Sequence, residues 1–207
     1  MNEQNTDKIR LARLSEIYVD ILANFDCLNS DEDLKSKGFK SKQIRKFAGY
    51  SENINYFLKN DALEEQKKGL NTTHLLFLEN ELVGFISLCN DSIRLALSEK
   101  EEDNVPYANI PALKIARLAI DKKFQNNGWG KFLIDFAVAV AFKNRQWSGI
   151  KFLTVDCYKH RLSYYEDRIG FKINENQAPN RQPDNPLSLR LSIDEYLKNF
   201  IYEDKPM

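Results

Sequence analysis

The apolar positions of the chain change their spacing several times, and each spacing predicts a different local structure. Over residues 8–25 they recur close to the helical repeat, which predicts a helix. The polar stretch 29–46 predicts a loop that contains a short helix. Ser51 has the character of an N-cap, and apolar residues then repeat on one face as far as Gly69. A second helix is therefore predicted over residues 51–69.

Short apolar runs follow, and they predict the strands of a sheet. Residues 72–78 and 82–88 flank the polar turn 79–81, which predicts a β-hairpin. Two further apolar runs, 115–120 and 150–157, predict buried strands.

The segment between the hairpin and the next strand is polar and acidic. It covers residues 91–111, contains Pro106 and Pro111, and predicts a loop long enough to cover a site. The remaining pattern predicts a helix over 158–169, strands over 171–174 and 187–193, a proline-containing loop over 177–186, and a terminal helix over 194–202. This order predicts an α/β fold in which a mixed sheet is flanked by helices.

The composition is that of a globular protein, and it restricts the function classes. Of 207 residues, 43% are hydrophobic and 12% are aromatic, which predicts one folded domain large enough for a core. Lys plus Arg and Asp plus Glu number 30 each, so no global charge attracts nucleic acid. The one obvious basic run, residues 35–46, is interpreted as a solvated face.

Cysteine usage and hydropathy argue against several other classes. Three cysteines without close pairing and two histidines argue against a disulfide scaffold and a zinc site, so no metal is predicted. The N-terminal residues lack a secretory apolar core, and the most apolar helical stretch, 132–142, is too short to span a bilayer. The chain is therefore predicted to be cytoplasmic, with no membrane partner.

The clearest candidate for chemistry is a turn between a predicted strand and a predicted helix. It reads QNNGWG from Gln125 to Gly130, and its N–H groups and those of the helix start converge where an anion can bind. A P-loop is excluded because Phe132, not Ser or Thr, follows Lys131. The dinucleotide fingerprint is excluded because Leu133 stands where the third glycine is required.

The pattern that remains, Gln-x-x-Gly-x-Gly, resembles the pyrophosphate loop of the GNAT family of acyl-CoA-dependent N-acyltransferases. Downstream, LSYYEDRIGF at residues 162–171 resembles the family's Phe-Tyr-Glu-x-x-Gly-Phe signature. The resemblance implies a GNAT acyltransferase domain over about residues 44–193, in which a splayed strand pair binds acyl-CoA. Residues 1–43 are then expected to be an N-terminal helical extension packed on the domain, and residues 194–207 a C-terminal helix and tail.

Acetyl-CoA is the co-substrate that the resemblance implies. Its pantetheine chain would bond the backbone of the strand before the turn, where an N–H would also hold the oxyanion of a tetrahedral intermediate. Its pyrophosphate would bind main-chain N–H groups, with a side-chain contribution from Gln125 and an ionic one from Lys131. The implied acetyl-CoA-binding residues are Leu118, Ala119, Ile120, Gln125, Asn126, Asn127, Gly128, Trp129, Gly130 and Lys131.

The resemblance also implies a tyrosine that protonates the CoA thiolate, but two registers compete in this chain. Counting by the Tyr-Glu pair gives Tyr165, whereas counting back from Gly170 gives Glu166. One residue rotates a helix by about 100°, so the register decides which side chain faces the cleft. Tyr165 is preferred because a phenol suits a thiolate leaving group. Glu166 is the alternative and Tyr164 is a third.

No residue of the sequence identifies the base that takes a proton from the acceptor amine. Glu79, Glu81 and the acidic run 99–103 are the candidates, although each is interpreted first as surface charge. Solvent is the other candidate. Cys157 is interpreted as a small buried residue and not as a nucleophile.

The predicted activity is transfer of an acetyl group from acetyl-CoA to a primary amine by direct attack. The sequence does not decide whether the acceptor amine belongs to a small molecule or to a protein. Formation of a homodimer is also left open. Residues 53–77 resemble a subgroup that includes toxins of bacterial toxin–antitoxin pairs, which acetylate aminoacyl-tRNA. The net charge of zero places this alternative second. A non-catalytic acyl-CoA-binding module is the third.

Overall fold

The computed structural model describes residues 9–29, 31–36, 38–176 and 186–203, so the loop predicted over 177–186 lies, except for Pro186, outside them. The strands are β1 (Ile9–Arg13), β2 (Thr72–Leu78), β3 (Glu81–Arg94), β4 (Asn109–Ile120), β5 (Phe152–Cys157), β6 (Lys172–Ile173) and β7 (Leu187–Ser192). The α-helices are α1 (Val19–Leu22), α2 (Asp31–Ser36), α3 (Ser41–Tyr56), α4 (Ala62–Lys67), α5 (Leu97–Glu102), α6 (Trp129–Asn144) and α7 (Ile193–Glu203). Short 3-10 helices cover Glu16–Tyr18, Lys122–Phe124 and Lys159–Arg161, and π-helices cover Phe57–Asp61 and Tyr164–Ile169.

The seven strands of the described residues form one mixed sheet in the order β1-β2-β3-β4-β5-β7-β6. Helices flank this sheet, which confirms the predicted α/β fold class. The chain divides into two compact units. The first comprises the described residues through Ser87 together with Arg117–Leu133, and the second comprises Leu88–Ala116 together with the described residues from Ile134. Strands β3 and β4 and helix α6 contribute residues to both.

The first unit is built around an apolar core contributed by its helices and by β2, β3 and β4. Strand β1 runs antiparallel to β2, with Ile9 opposite Leu78 and Arg13 opposite His74. The core is rich in aromatic side chains, which bury large apolar areas. Its buried members are Leu14, Leu22, Phe25, Cys27, Phe57, Leu58, Ala62, Leu75, Phe77, Leu82, Phe85 and Ala119.

In the second unit, β4 runs parallel to β5. Their register runs from Ala112 opposite Phe152 to Ile115 opposite Val155. Strand β7 lies antiparallel to both β5 and β6. One buried cluster of this unit consists of Ile93, Leu95, Ile110, Ala112 and Phe152.

The predicted helix over residues 8–25 is wrong in its first part, which is strand β1. Pairing with β2 supplies backbone hydrogen-bond partners, and such tertiary pairing overrides a helical spacing over so short a run.

The helix start predicted at Ser51 is also wrong, because α3 begins at Ser41. There the backbone N–H of Lys40 donates to Oε1 of Gln43 (2.9 Å).

The loop predicted over residues 91–111 is mostly wrong. Strand β3 continues to Arg94, α5 follows, and β4 begins at Asn109. Pro111 is accommodated in β4 because the register with β5 begins one residue later, at Ala112, so the missing N–H costs no bond in that ladder.

The other predicted elements are present. The hairpin of β2 and β3 is confirmed, and so are β5, β6, β7 and α7 with shifts at their ends. In the described residues no helix combines the length and apolarity needed to cross a bilayer. The division of the chain at residues 43 and 193 stays a prediction.

Candidate functional site

The turn that follows β4 is held by its own first residue. Asp121 is buried, its N–H donates to the carbonyl of Val83 (2.8 Å), and its Oδ1 accepts from the N–H of Lys123 (3.0 Å). The short 3-10 helix Lys122–Phe124 therefore starts on an aspartate cap. The buried carboxylate of Asp121 therefore has a hydrogen-bond donor at the point where the turn begins.

Gln125 fastens the turn to the strand that precedes it. Its Nε2 donates to the carbonyls of Cys27 (3.1 Å) and Ile120 (3.0 Å), and its Oε1 accepts from Nδ2 of Asn29 (2.6 Å). Both amide hydrogens are thus donated to protein carbonyls. These bonds support a positioning role, and the direct contribution of this side chain to the pyrophosphate site stays a prediction.

The backbone of the turn opens toward the start of α6. Asn126 has a φ of 66° and Gly128 a φ of 83°, the left-handed region that asparagine and glycine tolerate best. A Cβ added to Gly128 would meet no atom within 4 Å, so a ligand can approach this backbone closely. The N–H of Phe132 donates to the carbonyl of Gly128 (3.1 Å), and so begins the helix.

The first turn of α6 is electrostatically suited to an anion. The first N–H groups of any helix lack intrahelical acceptors, and the helix dipole places partial positive charge there. Trp129, Gly130 and Lys131 open the helix without an acidic residue. This helix start and the turn before it, including Asn127, can therefore bind a phosphate group.

The end of β4 lies against Gly84, a glycine of β3 that is not among the predicted site residues. Ala119 is buried, whereas Leu118 and Ile120 are half-buried. A Cβ on Gly84 of β3 would lie 2.7 Å from the carbonyl oxygen of Ala119 and 2.6 Å from Cδ1 of Ile120. A lone glycine inside a strand pattern marks such a close backbone approach, and that signal was available in the sequence.

In the second unit, the register of β4 with β5 ends before β5 does. Its last pair is Ile115 opposite Val155, and β5 continues to Cys157. Beyond this pair β4 also continues, as far as Ile120. The register that joins the two strands therefore covers only part of each strand.

The helix after β5 contains both candidate acids, Tyr165 and Glu166. Tyr164–Ile169 is a π-helix, whose wider turns hold more residues than α-helical turns. It ends at Gly170, and the N–H of Phe171 donates to the carbonyl of Tyr165 (2.9 Å). A wider turn has room for one residue more than the family signature places between Tyr165 and Gly170, and the choice between Tyr165 and Glu166 stays a prediction.

Tyr165 is buried, and its ring packs edge-on against those of Tyr164 (5.3 Å between centroids) and Phe171 (5.4 Å). Burial raises the pKa of Tyr165, and the neighbouring Tyr164 and Cys157 add to that rise. The phenol therefore keeps its proton at neutral pH. Glu166 is half-buried.

Cys157 shows where carboxylates gather at the end of β5. Burial, with the negative charges of Glu166 and Asp156, raises the pKa of this thiol to about 12. Its side chain is buried, as predicted, and the thiol is protonated at neutral pH.

Two of the candidate bases are engaged elsewhere. Arg190 is buried and donates to Oε1 of Glu99 (2.5 Å) and to Oδ2 of Asp103 (3.0 Å), both of which have buried side chains. A carboxylate that is buried in an ion pair with arginine is inaccessible to a substrate amine. Glu79 and Glu81 are exposed at the hairpin turn.

The predicted residues fall into two groups. The ten predicted acetyl-CoA-binding residues lie in the first unit, where hydrogen bonds join Gln125 to Ile120. Tyr165 and Glu166 lie in the second unit beside Cys157. Among the residues that the structure describes, no group of three or more His, Cys, Asp and Glu side chains could hold a metal ion.

The strand, turn and helix of this site and the mixed sheet define an acyltransferase fold, and comparison with known families agrees. The acetyltransferase (GNAT) domain family matches residues 31–181. This span is more than half of the chain, so the chain belongs to the GNAT acetyltransferase family.

Solved structures of toxin proteins have the same fold. A tyrosine-to-phenylalanine mutant of KacT is 20% identical, with a TM-score of 0.69 over 93% of this chain and 99% of that one. AtaT complexed with acetyl-methionyl-tRNAfMet is 21% identical, with a TM-score of 0.67 over 93% and 99%. AtaTR bound with AcCoA is 23% identical, with a TM-score of 0.64 over 94% and 99%. At these identities the likeness shows the fold.

Proposed function

We propose that this protein transfers the acetyl group of acetyl-CoA to a primary amine. The observation that carries the proposal is the turn at Gly128, with its left-handed backbone and a helix start free of acidic residues. Main-chain N–H groups there suit the CoA pyrophosphate. The structure of AtaTR bound with AcCoA, a protein of the same fold, supports the choice of donor.

The pantetheine chain is proposed to bond the backbone of Leu118, Ala119 and Ile120, beyond the point where the register of β4 with β5 ends. The amine nitrogen attacks the thioester carbonyl carbon, and a backbone N–H of this stretch stabilises the oxyanion. The carbon–sulfur bond then breaks and releases CoA thiolate. Water is the proposed base, because Glu99 and Asp103 are bound to Arg190.

Tyr165 is the proposed acid that protonates the thiolate. Its raised pKa keeps the phenol protonated, and its buried ring fixes the hydroxyl in one place. Glu166 is the alternative, because the π-helix also presents its carboxylate near Cys157.

The test is acetyl-CoA binding by calorimetry, followed by release of free thiol with a panel of amines, polyamines, peptides and aminoacyl-tRNA. We expect binding and acceptor-dependent thiol release. Absence of acetyl-CoA binding would overturn the donor assignment. Binding without turnover on any acceptor would instead support a non-catalytic acyl-CoA-binding module.

A second candidate function is acetylation of an amine carried on tRNA, and the surface of α3 favours it. Lys42, Arg45 and Lys46 are exposed and share one helical face, as residues three and four apart do. Phe47 packs beside Tyr50, whose ring lies 6.0 Å from Nζ of Lys46. Clustered cations beside aromatic rings suit a nucleic-acid backbone. The complex of AtaT with acetyl-methionyl-tRNAfMet, which shares the fold, supports testing this acceptor.

Replacing Lys42, Arg45 and Lys46 with glutamine separates the two acceptor classes. If tRNA is the acceptor, its KM should rise. The slope of the logarithm of its binding constant against the logarithm of the salt concentration should also decrease in magnitude by about one for each lost phosphate contact. Turnover of a small amine should not change. The matched control replaces three exposed lysines elsewhere, namely Lys68, Lys143 and Lys198.

A further inference from the structure

The segment Phe25 to Asn29, here called the strap, is joined to the proposed pyrophosphate turn by hydrogen bonds from both sides. The N–H of Asp26 donates to Oδ2 of Asp121 (2.9 Å), and its carbonyl accepts from the N–H of Lys122 (2.8 Å). Gln125 in the turn bonds the carbonyl of Cys27 and the amide of Asn29. The turn is thus supported by a segment almost a hundred residues away in sequence.

Asp26 is the centre of this arrangement. Its carboxylate accepts from Nζ of Lys122 (2.7 Å), Nδ2 of Asn55 (2.8 Å) and the N–H of Leu28 (3.1 Å). Burial acts to raise the pKa of Asp26, but the hydrogen bonds from Lys122, Leu28 and Asn55 outweigh it, and the pKa lies below its ordinary value. The carboxylate is therefore ionised at neutral pH and accepts all three bonds.

Asn55 connects the strap to α3. Its Nδ2 donates to Asp26, and its Oδ1 accepts from the N–H of Cys27 (3.0 Å), so one side chain bonds two consecutive strap residues. Sγ of Cys27 also lies 3.5 Å from the carbonyl of Ser51 on the same helix. The chain of contacts runs from α3 through the strap to the turn.

These contacts are expected to add little to the free energy of folding and to act mainly by fixing the position of the turn. The Asp26–Lys122 pair is partly exposed, with 28% and 54% of the side-chain areas accessible, and such pairs add little to the free energy of folding. A misplaced binding loop, in contrast, costs affinity directly, because its N–H groups no longer converge on the ligand. Loss of the strap contacts should therefore affect ligand affinity before it affects folding.

We propose that Asp26 and Asn55 are positioning residues that hold the turn at Gly128 in its acyl-CoA-binding conformation and connect it to α3. The inference rests on the proposed function, since it assumes that the turn binds the CoA pyrophosphate. Neither side chain is required to touch the ligand. The Asp26 side chain acts through Lys122 and the strap backbone, and the Asn55 side chain acts through Asp26 and the strap backbone.

The test compares Asp26→Asn and Asn55→Ala with the wild-type protein. Acetyl-CoA affinity is measured by calorimetry, kcat and both KM values by thiol release, and folding by urea denaturation. We expect the Kd and KM for acetyl-CoA to rise about 10-fold in each variant, the equivalent of one hydrogen bond to a charged group. We expect kcat and the KM for a small amine to stay close to their wild-type values.

A rescue variant and a control make the test specific. Lys122→Gln in the Asp26→Asn background restores a neutral hydrogen-bonded pair and should recover part of the affinity. Asn60→Ala removes an exposed bond from Nδ2 of Asn60 to the carbonyl of Tyr56 in the adjoining π-helix, and should change nothing.

The outcomes separate the inference from the function on which it rests. Wild-type protein that does not bind acetyl-CoA overturns both. Wild-type binding together with unchanged acetyl-CoA affinity in both variants overturns the positioning role alone. A variant whose apparent kcat falls in proportion to a lost folded fraction, with unchanged KM values, also overturns it, because that result describes a structural residue.

Discussion

Replacement of Gly84 by alanine tests the packing that supports the end of β4. The added Cβ would lie 2.6 Å from Cδ1 of Ile120, a side-chain end that can rotate away. It would also lie 2.7 Å from the carbonyl oxygen of Ala119, which belongs to the backbone. To reach even the 3.0 Å below which real Cβ contacts essentially never fall, that carbonyl must move, and close-packed interiors resist such movement.

The cost follows from the size of that displacement. Overpacking by one methyl group in a well-packed region destabilises by about 1–3 kcal/mol. In a chain of this size each kcal/mol lowers the melting temperature by about 2–4 °C. The moved carbonyl belongs to the stretch proposed to bond pantetheine, so the KM for acetyl-CoA should rise as well.

Urea denaturation and acetyl-CoA kinetics measure the two effects, and Gly49→Ala is the matched control. Gly49 lies inside α3, and a Cβ there would meet no atom within 4 Å. The same substitution should therefore stabilise the protein by about 0.5–1 kcal/mol through the helix propensity of alanine. If Gly84→Ala unfolds at the wild-type urea concentration with an unchanged KM, the close-approach argument is wrong.

Three further predictions follow from the site. Gly128→Val should weaken acetyl-CoA binding and cost about 1–2 kcal/mol, because a β-branched residue is strained at a φ of 83°; wild-type calorimetry would contradict this. Tyr165→Phe keeps the ring packing and should lower kcat about 10²-fold or more with little change in the KM for acetyl-CoA, whereas full activity in this variant and loss in Glu166→Gln would transfer the acid role to the carboxyl group. The pKa of Cys157 is about 12 in the folded state and has its ordinary value of 9.0 in the unfolded state. The free energy of unfolding should therefore not depend on this thiol below pH 9.0 and should fall as the pH rises above that value. In denaturation series at several pH values, Cys157→Ala should remove up to about 1.4 kcal/mol per pH unit from the slope of that free energy against pH.

The elements predicted correctly are those whose signal is local. The hairpin of β2 and β3, strand β5 and the strand–turn–helix around Gly128 each follow from periodicity and turn chemistry within a few residues. Tyr165 and Glu166 could be named as alternatives, but the π-helix that contains both does not follow from periodicity. A one-residue insertion can be absorbed in several ways, and only packing selects among them.

The wrong predictions have long-range causes. The sequence of segment 91–111 predicts a polar loop because charged residues such as Glu99 and Asp103 suggest exposure. In the fold, both side chains are buried against Arg190. Arg190 lies 91 residues after Glu99 in the sequence. Strand β1 satisfies its backbone on β2. Neither partner is visible in a local window.

The sequence by itself determined that a glycine-bearing turn follows a buried strand and precedes a helix, because backbone conformation and helix initiation depend on neighbouring residues. Only the tertiary structure decided what keeps this turn in place. Gln125 reads as a ligand contact in the sequence, but in the fold its amide reaches Cys27 and Asn29 of the strap. A side chain with hydrogen-bonding groups must satisfy them wherever it is buried, and which partners it meets depends on the packing of distant segments.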